Sequence, residues 1–191
     1  MAAMRPIPEK KPIVAFSGRS NVGKSSLLNR LLEKPAARVS QKPGCTRQIQ
    51  LYPAREGWLW ADLPGYGYAQ VNQKKRLLWL RNIEHFLRQE VPLTCVLIDS
   101  RISPQKLDQA WVAWLASNNV PFVILANKVD ALSQKERYHQ QKLLMQAFPT
   151  PLYWGWVSAK TGEGVPAFLE WLKAYRHLQT PHAPTPKSLP L

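Results

Sequence analysis

The sequence predicts an α/β domain: a mostly parallel, six-stranded sheet with helices on both faces. Two observations predict it. From residue 94 onward, apolar runs alternate with segments of helical periodicity: "TCVLID" with "PQKLDQAWVAWLAS", "PFVILAN" with "SQKERYHQQKLLMQAF", and "LYWGWVS" with "VPAFLEWLKAYRHL". Such alternation means βαβ units, whose strands are buried on both faces and lie parallel. Upstream, the apolar run "PIVAFSG" passes through the glycine-containing "GRSNVGKSS" into "KSSLLNRLLE", where Leu27, Leu28, Leu31 and Leu32 recur at helical spacing.

The remaining elements follow in order. "KPAARVSQKPGCTRQ" reads as loop, because Pro35, Pro43 and Gly44 interrupt any regular pattern. "IQLYPAREGWLWADLPG" reads as two strands around a turn at Arg55–Gly57. "KKRLLWLRNIEHFLRQE" reads as an amphipathic helix with Leu77, Leu80, Ile83 and Leu87 on one stripe. Residues 1–10 are expected to be a flexible basic N-terminus, 11–178 one domain, and the proline-rich 179–191 a disordered tail.

Bulk properties narrow the function. The 191 residues suit one domain with its own core. Lysine and arginine number 26 against 12 acidic residues, a formal charge of +14. An excess of that size favours a polyanionic partner over plain solubility. Two isolated cysteines, Cys45 and Cys95, make neither a disulfide framework nor a zinc site. Cys95, inside "TCVLID", is expected in the core. No secretory signal heads the sequence and no apolar run is long enough to span a bilayer, so the expected location is the cytoplasm, with no membrane partner.

Five short segments then form one candidate site, four of them following a predicted strand and one, around Thr46, between the first helix and the strand that leads to Asp62. Gly18, Arg19, Ser20, Asn21, Val22, Gly23, Lys24 and Ser25 match G-x-x-x-x-G-K-[ST] between a strand and a helix. Backbone N–H groups of such a loop hold phosphate oxygens, and its glycines permit the close approach. Lys24 would neutralise the β- and γ-phosphates, and the Ser25 hydroxyl would ligate Mg²⁺. Thr46, flanked by Cys45, Arg47, Gln48 and Ile49, sits where a switch threonine can complete the Mg²⁺ shell. Asp62, Leu63, Pro64 and Gly65 form D-x-x-G: Asp62 would reach Mg²⁺ through water, and the Gly65 N–H would sense the γ-phosphate. Asn127, Lys128, Val129 and Asp130 form N-K-x-D.

This last segment selects the base. One carboxylate can accept both N1–H and the N2 amine of guanine, whereas adenine would leave Asp130 unpaired at a cost of several kcal/mol. Asn127 can bridge to the phosphate loop, and the Lys128 stem can cover the ring. Val157, Ser158 and Ala159, followed by Lys160, complete the set; their backbone N–H groups would meet guanine O6. An ATP-dependent nucleotide kinase would share the first segment but not the Asp130 chemistry. The expected ligands are GTP and GDP, on a P-loop NTPase G domain.

"GRSNVGKSSLLN", "KPGCTRQI", "DLPGYGYA", "VLIDSR…LDQ" and "NKVDALS" together resemble the EngB/YihA/YsxC-type ribosome-biogenesis GTPases of the TrmE-Era-EngA-YihA-Septin-like class. The resemblance covers about residues 10–177. It implies a single GTPase domain that binds GTP and GDP with Mg²⁺, assists late assembly of the large ribosomal subunit, and serves normal cell division and septation; the expected partners are that subunit and its rRNA, and the expected state is a monomer. Three positions depart from the family pattern: Val22 stands where alanine is commoner, Cys45 where a basic residue is usual, and Asn127 where threonine is frequent.

The resemblance also bears on turnover. Tyr66 stands where many GTP-hydrolysing proteins place a water-orienting glutamine, so its ring is expected to pack away from the phosphates and hydrolysis to be slow without an activator. The candidate catalytic residues are Lys24, Thr46, Gly65 and Asn21, the last as a ligand for a monovalent cation such as K⁺. A nucleotide-gated binding module with negligible turnover is the alternative. Arg38, Lys42 and Arg47 in the first switch and Lys74, Lys75 and Arg76 after the second are candidate RNA contacts.

Overall fold

The structure is a computed structural model that describes residues 11–33, 49–66, 81–88, 91–148 and 151–179. Six strands form one sheet: β1 (Ile13–Gly18), β2 (Gln50–Pro53), β3 (Leu59–Asp62), β4 (Leu93–Asp99), β5 (Phe122–Asn127) and β6 (Trp154–Val157). The order across the sheet is β2-β3-β1-β4-β5-β6. Only the β2–β3 pair is antiparallel. The helices are α1 (Lys24–Leu32), α2 (81–88), α3 (Lys106–Ser117), α4 (Gln134–Ala147) and α5 (Val165–Gln179). Single 3₁₀ turns lie at Arg55–Gly57 and Val129–Ala131.

Strand alternation explains why a sheet of such continuous hydrophobicity forms. Ile13 and Ala15 of β1, Val96 and Ile98 of β4, and Phe122, Ile124 and Ala126 of β5 face a core built with Ile83, Leu87, Trp111, Leu115 and Leu144 of α2, α3 and α4. Their neighbours Val14, Phe16, Cys95, Leu97, Val123 and Leu125 face the other core, closed by Leu27, Leu28 and Leu31 of α1 and Phe168 and Leu172 of α5. The central strands β1, β4 and β5 therefore have apolar partners on both faces, whereas the edge strand β2 is largely exposed. Cys95 is fully buried, and burial pushes its thiol well above the ordinary value, so it is an inert core residue.

Local chemistry sets the helix starts. Ser133 caps α4 through a capping box: its hydroxyl accepts from the Glu136 N–H at 3.4 Å, and Glu136 accepts from the Ser133 N–H at 2.7 Å. α5 runs through Gln179, one residue past the expected domain edge. Among the described residues, no helix is long and apolar enough to cross a membrane. The expectations for residues 1–10, for Arg38, Lys42 and the first-switch loop, for Lys74, Lys75, Arg76, Leu77 and Leu80, and for the tail beyond 179 lie outside the described residues.

Candidate functional site

The parallel strands β1, β3, β4, β5 and β6 all end at one edge, and the predicted site residues gather there. Gly18 closes β1 and leads into the loop that opens α1. It has no room for a side chain: an added Cβ would stand 2.9 Å from both the Leu97 carbonyl oxygen and Val22 Cγ1. Asn21 and Gly23 adopt left-handed backbone, at φ 66° and 95°. A Cβ on Gly23 would meet Asn127 Nδ2 at 2.4 Å. Left-handed turns of this kind let the first N–H groups of the following helix face a ligand in the loop, where the helix dipole favours an anion.

Lys24 and Asp62 meet as an ion pair, with both side chains buried. Burial raises the Asp62 pKa above its ordinary value, and the Lys24 ammonium partly opposes the rise. Asp62 is thus a desolvated carboxylate at the end of β3, beside the lysine expected to reach phosphate. Ser25 follows Lys24 on α1. Its hydroxyl and the Asp62 carboxylate are hard oxygen donors, which suit Mg²⁺. Among the described residues, no group of three or more His, Cys, Asp or Glu side chains gathers as a metal cage. Thr46, Cys45, Arg47 and Gln48 lie outside the described residues, while Ile49 packs against the core beside β2.

Leu63 and Pro64 are buried, and Leu63 donates its N–H to the Phe16 carbonyl at 3.0 Å, so the D-x-x-G turn continues alongside β1. Gly65 lies directly against the phosphate loop: a Cβ there would stand 3.3 Å from the Gly18 oxygen and from the Ser20 nitrogen. Tyr66 is 8% exposed and packs on Trp111, with ring centroids 5.6 Å apart. Its side chain belongs to the core.

The base-selecting segments form a hydrogen-bonded frame. Asn127 is buried; its Nδ2 donates to the Val22 carbonyl at 2.9 Å and its Oδ1 accepts from the Ala159 N–H at 3.0 Å. One side chain thereby fastens β5 to the phosphate loop and to the segment after β6. Lys128, at φ 73°, donates to the Asn21 carbonyl at 2.6 Å. Val129 is buried beneath the loop. Asp130 accepts from the Ser158 hydroxyl at 2.6 Å, which orients its carboxylate. The Ser158 hydroxyl also accepts from the Thr161 N–H at 3.0 Å.

One expectation takes a different form. The Ser158 N–H donates to the Glu163 carbonyl at 2.9 Å, and the Ala159 N–H is engaged by Asn127. These two amides hold the loop in shape, so the Ala159 N–H must leave or share Asn127 to reach guanine O6. Val157, the last residue of β6, is fully buried and anchors the loop from below.

Comparison with known proteins agrees with this geometry. The family profile described as "50S ribosome-binding GTPase" matches residues 13–128. The probable GTP-binding protein EngB of Thermotoga petrophila is 42% identical over 170 residues, 85% of this chain and 86% of that protein. The chain belongs to the EngB family of GTP-binding proteins. EngB of Cytophaga hutchinsonii is 39% identical over 85% of both chains. Among solved structures, a probable GTP-binding protein engB superimposes with a TM-score of 0.72 at 22% identity, covering 87% of this chain and all of that one. Era in complex with MgGDPNP and nucleotides 1506–1542 of 16S ribosomal RNA superimposes with a TM-score of 0.75 at 21% identity, covering 93% of this chain and 60% of that one. These two likenesses establish the P-loop GTPase fold.

Within this EngB site, three side chains carry structural roles that motif reading did not assign. Asp99, at the end of β4, accepts from the Arg101 N–H at 3.1 Å, Arg101 Nε at 2.9 Å, Arg101 Nη2 at 2.8 Å and Lys128 Nζ at 2.9 Å. Burial opposes its ionisation, but the hydrogen bonds from Arg101 and Lys128 prevail and hold its pKa down at about 2. Arg30 of α1 donates through Nε to the Ala159 carbonyl at 3.1 Å and through Nη2 to the Lys160 carbonyl, pinning the segment after β6. Asp108 of α3, 3% exposed, accepts from Arg19 Nε at 3.1 Å. An acidic residue ending a buried strand was the available signal for Asp99. Arg30 carried none, since it reads as an exposed helical residue.

Proposed function

We propose that this EngB-family chain is a slow GTPase that binds GTP or GDP with Mg²⁺ and uses its nucleotide state to gate contact with the large ribosomal subunit and its rRNA. In the cytoplasm it would act as a monomer in late subunit assembly, and so support cell division and septation. The observation that carries the nucleotide reading is Asn127, which joins the base-selecting segment to both the phosphate loop and the Ser158–Ala159 segment. A base held at Asp130 is thereby registered against phosphates held at Gly23 and Lys24.

Each residue then has a chemical task. The loop N–H groups and Lys24 bind and neutralise phosphate oxygens. Ser25, with Thr46 and a water on Asp62, would hold Mg²⁺, which supplies further neutralisation of charge at the transferred phosphoryl group when bound. Gly65 would donate its N–H to the γ-phosphate. Tyr66, buried on Trp111, offers no group to orient water, which supports slow turnover and an activating group from the ribosomal partner. For K⁺, the Asn21 side chain is the candidate ligand; the Asn21 carbonyl already accepts a hydrogen bond from Lys128. Equal hydrolysis rates in K⁺ and Na⁺ would remove that role.

Co-sedimentation with purified large subunits tests the whole reading. Binding is expected to be stronger with a non-hydrolysable GTP analogue than with GDP, and to fall steeply with salt because the chain carries a charge of +14. Equal sedimentation in both nucleotide states refutes the gating. Competition by ATP as effective as that by GTP refutes the base assignment.

A further inference from the structure

Tyr66, Asp108 and Arg19 meet beside the phosphate loop, and Tyr66 and Asp108 have no part in the nucleotide contacts above. Asp108 and Trp111 are three residues apart on α3, so they share a face. The Tyr66 ring lies on Trp111 at 5.6 Å, on the same face of α3 that carries Asp108. Arg19 completes the joint twice. Its backbone forms a parallel bridge with Tyr66, and its Nε donates to Asp108 Oδ2 at 3.1 Å.

The joint has an unfinished contact. The Tyr66 hydroxyl and Asp108 Oδ1 are both buried, and neither has a hydrogen-bond partner among the described residues. Burial pushes the Tyr66 phenol well above its ordinary value, and the Asp108 charge raises it further against a smaller opposing pull from Arg19. The hydroxyl therefore keeps its proton and can donate it. Two adjacent buried groups, one donor and one acceptor, favour any small movement that joins them.

The neighbour of Tyr66 makes that movement functional. Gly65 sits against the phosphate loop, and Tyr66 is the next residue along the chain. We propose that Tyr66 is a positioning residue for Gly65, and that its hydroxyl and Asp108 form a latch between the D-x-x-G turn, the phosphate loop and α3 that is tighter with GTP than with GDP. A γ-phosphate that draws the Gly65 N–H inward moves Tyr66 with it, so nucleotide and latch favour the same conformation and strengthen each other. The proposal rests on the reading above in which Gly65 contacts the γ-phosphate. It gives the tyrosine at the usual glutamine position a mechanical task in place of a catalytic one.

A double-mutant cycle tests the latch. Tyr66→Phe keeps the ring on Trp111 and removes only the hydroxyl, and Asp108→Asn removes the charge while leaving an acceptor for Arg19. Affinities of the full chain for GDP and for a non-hydrolysable GTP analogue are measured by calorimetry with Mg²⁺ for wild type, both single variants and the pair, with thermal melting as the check on folding. Tyr66→Phe should lower the ratio of analogue to GDP affinity about tenfold, the scale of one hydrogen bond to a charged group. The pair should be little worse than either single variant, with the coupling confined to the analogue. Equal losses for both nucleotides, unchanged affinities, or fully additive effects overturn the latch alone. Failure of the wild-type chain to bind either nucleotide overturns the proposed function and the latch together.

Discussion

Replacing Asp99 by asparagine isolates a support that lies outside the nucleotide motifs. The carboxylate accepts four hydrogen bonds, three from Arg101 and one from Lys128, at 2.8–3.1 Å. An amide keeps one acceptor oxygen, turns its nitrogen toward cations and loses the charge. Its native pKa of about 2, against an ordinary 3.8, corresponds to at most roughly 2.4 kcal/mol favouring the folded chain at neutral pH. Arg101 has 44% of its side chain exposed, so screening by water reduces this to about 1–2 kcal/mol. Because the folded value is depressed, the contribution is complete above the unfolded pKa near 3.8 and disappears as pH falls through about 2. Urea midpoints of wild type and Asp99→Asn should therefore differ by about 1–2 kcal/mol at pH 7, by roughly half that at pH 3, and converge near pH 2. Lys128, left with the Asn21 carbonyl as its anchor, should also hold the base less well, lowering GDP affinity about tenfold. Equal midpoints at pH 7, or a gap that stays constant from pH 7 to pH 3, would refute the reasoning.

Three further changes probe the frame around the base and phosphates. Asp130→Asn replaces the carboxylate that can accept both guanine donors with one acceptor and one donor; displacement of a fluorescent GDP should show at least about a hundredfold loss, with xanthosine diphosphate gaining. Gly23→Ala puts a Cβ 2.4 Å from Asn127 Nδ2 at a backbone φ of 95°; thermal unfolding should show a loss of about 1–3 kcal/mol even without nucleotide. Arg30→Ala frees the Ala159 and Lys160 carbonyls, and stopped-flow release of GDP should quicken severalfold. Arg30→Lys should restore little of it, because two carbonyls are held by one planar fork.

The parts of this site that could be read from sequence are those whose chemistry is local. Gly18, Gly23, Lys24 and Ser25 declare themselves because a phosphate loop needs left-handed backbone, a cation and a hydroxyl at fixed spacing between a strand and a helix. The sheet declares itself because strands buried on both faces, such as Val14–Phe16 and Val123–Leu125, must be continuously apolar. Tyr66 was expected to turn from the phosphates because it has no carboxamide, and it lies in the core. Arg30, Asp99 and Asp108 belong to another class. The contacts that tie them to this site reach 129, 29 and 89 residues along the chain, a distance that no local pattern specifies. Strand order supplies the missing information for Asp99. β4 lies between β1 and β5, pairing Gly18 with Leu97 and Asp99 with Asn127. An acid at that register stands between the phosphate loop and N-K-x-D, so a lysine held at once by Asp99 and the Asn21 carbonyl follows from the topology. Asp108 needs the further fact that α3 packs over the same edge with Trp111 on the Tyr66 ring. The motifs therefore name the groups that meet the nucleotide, while the strand order determines which other charges hold those groups in place.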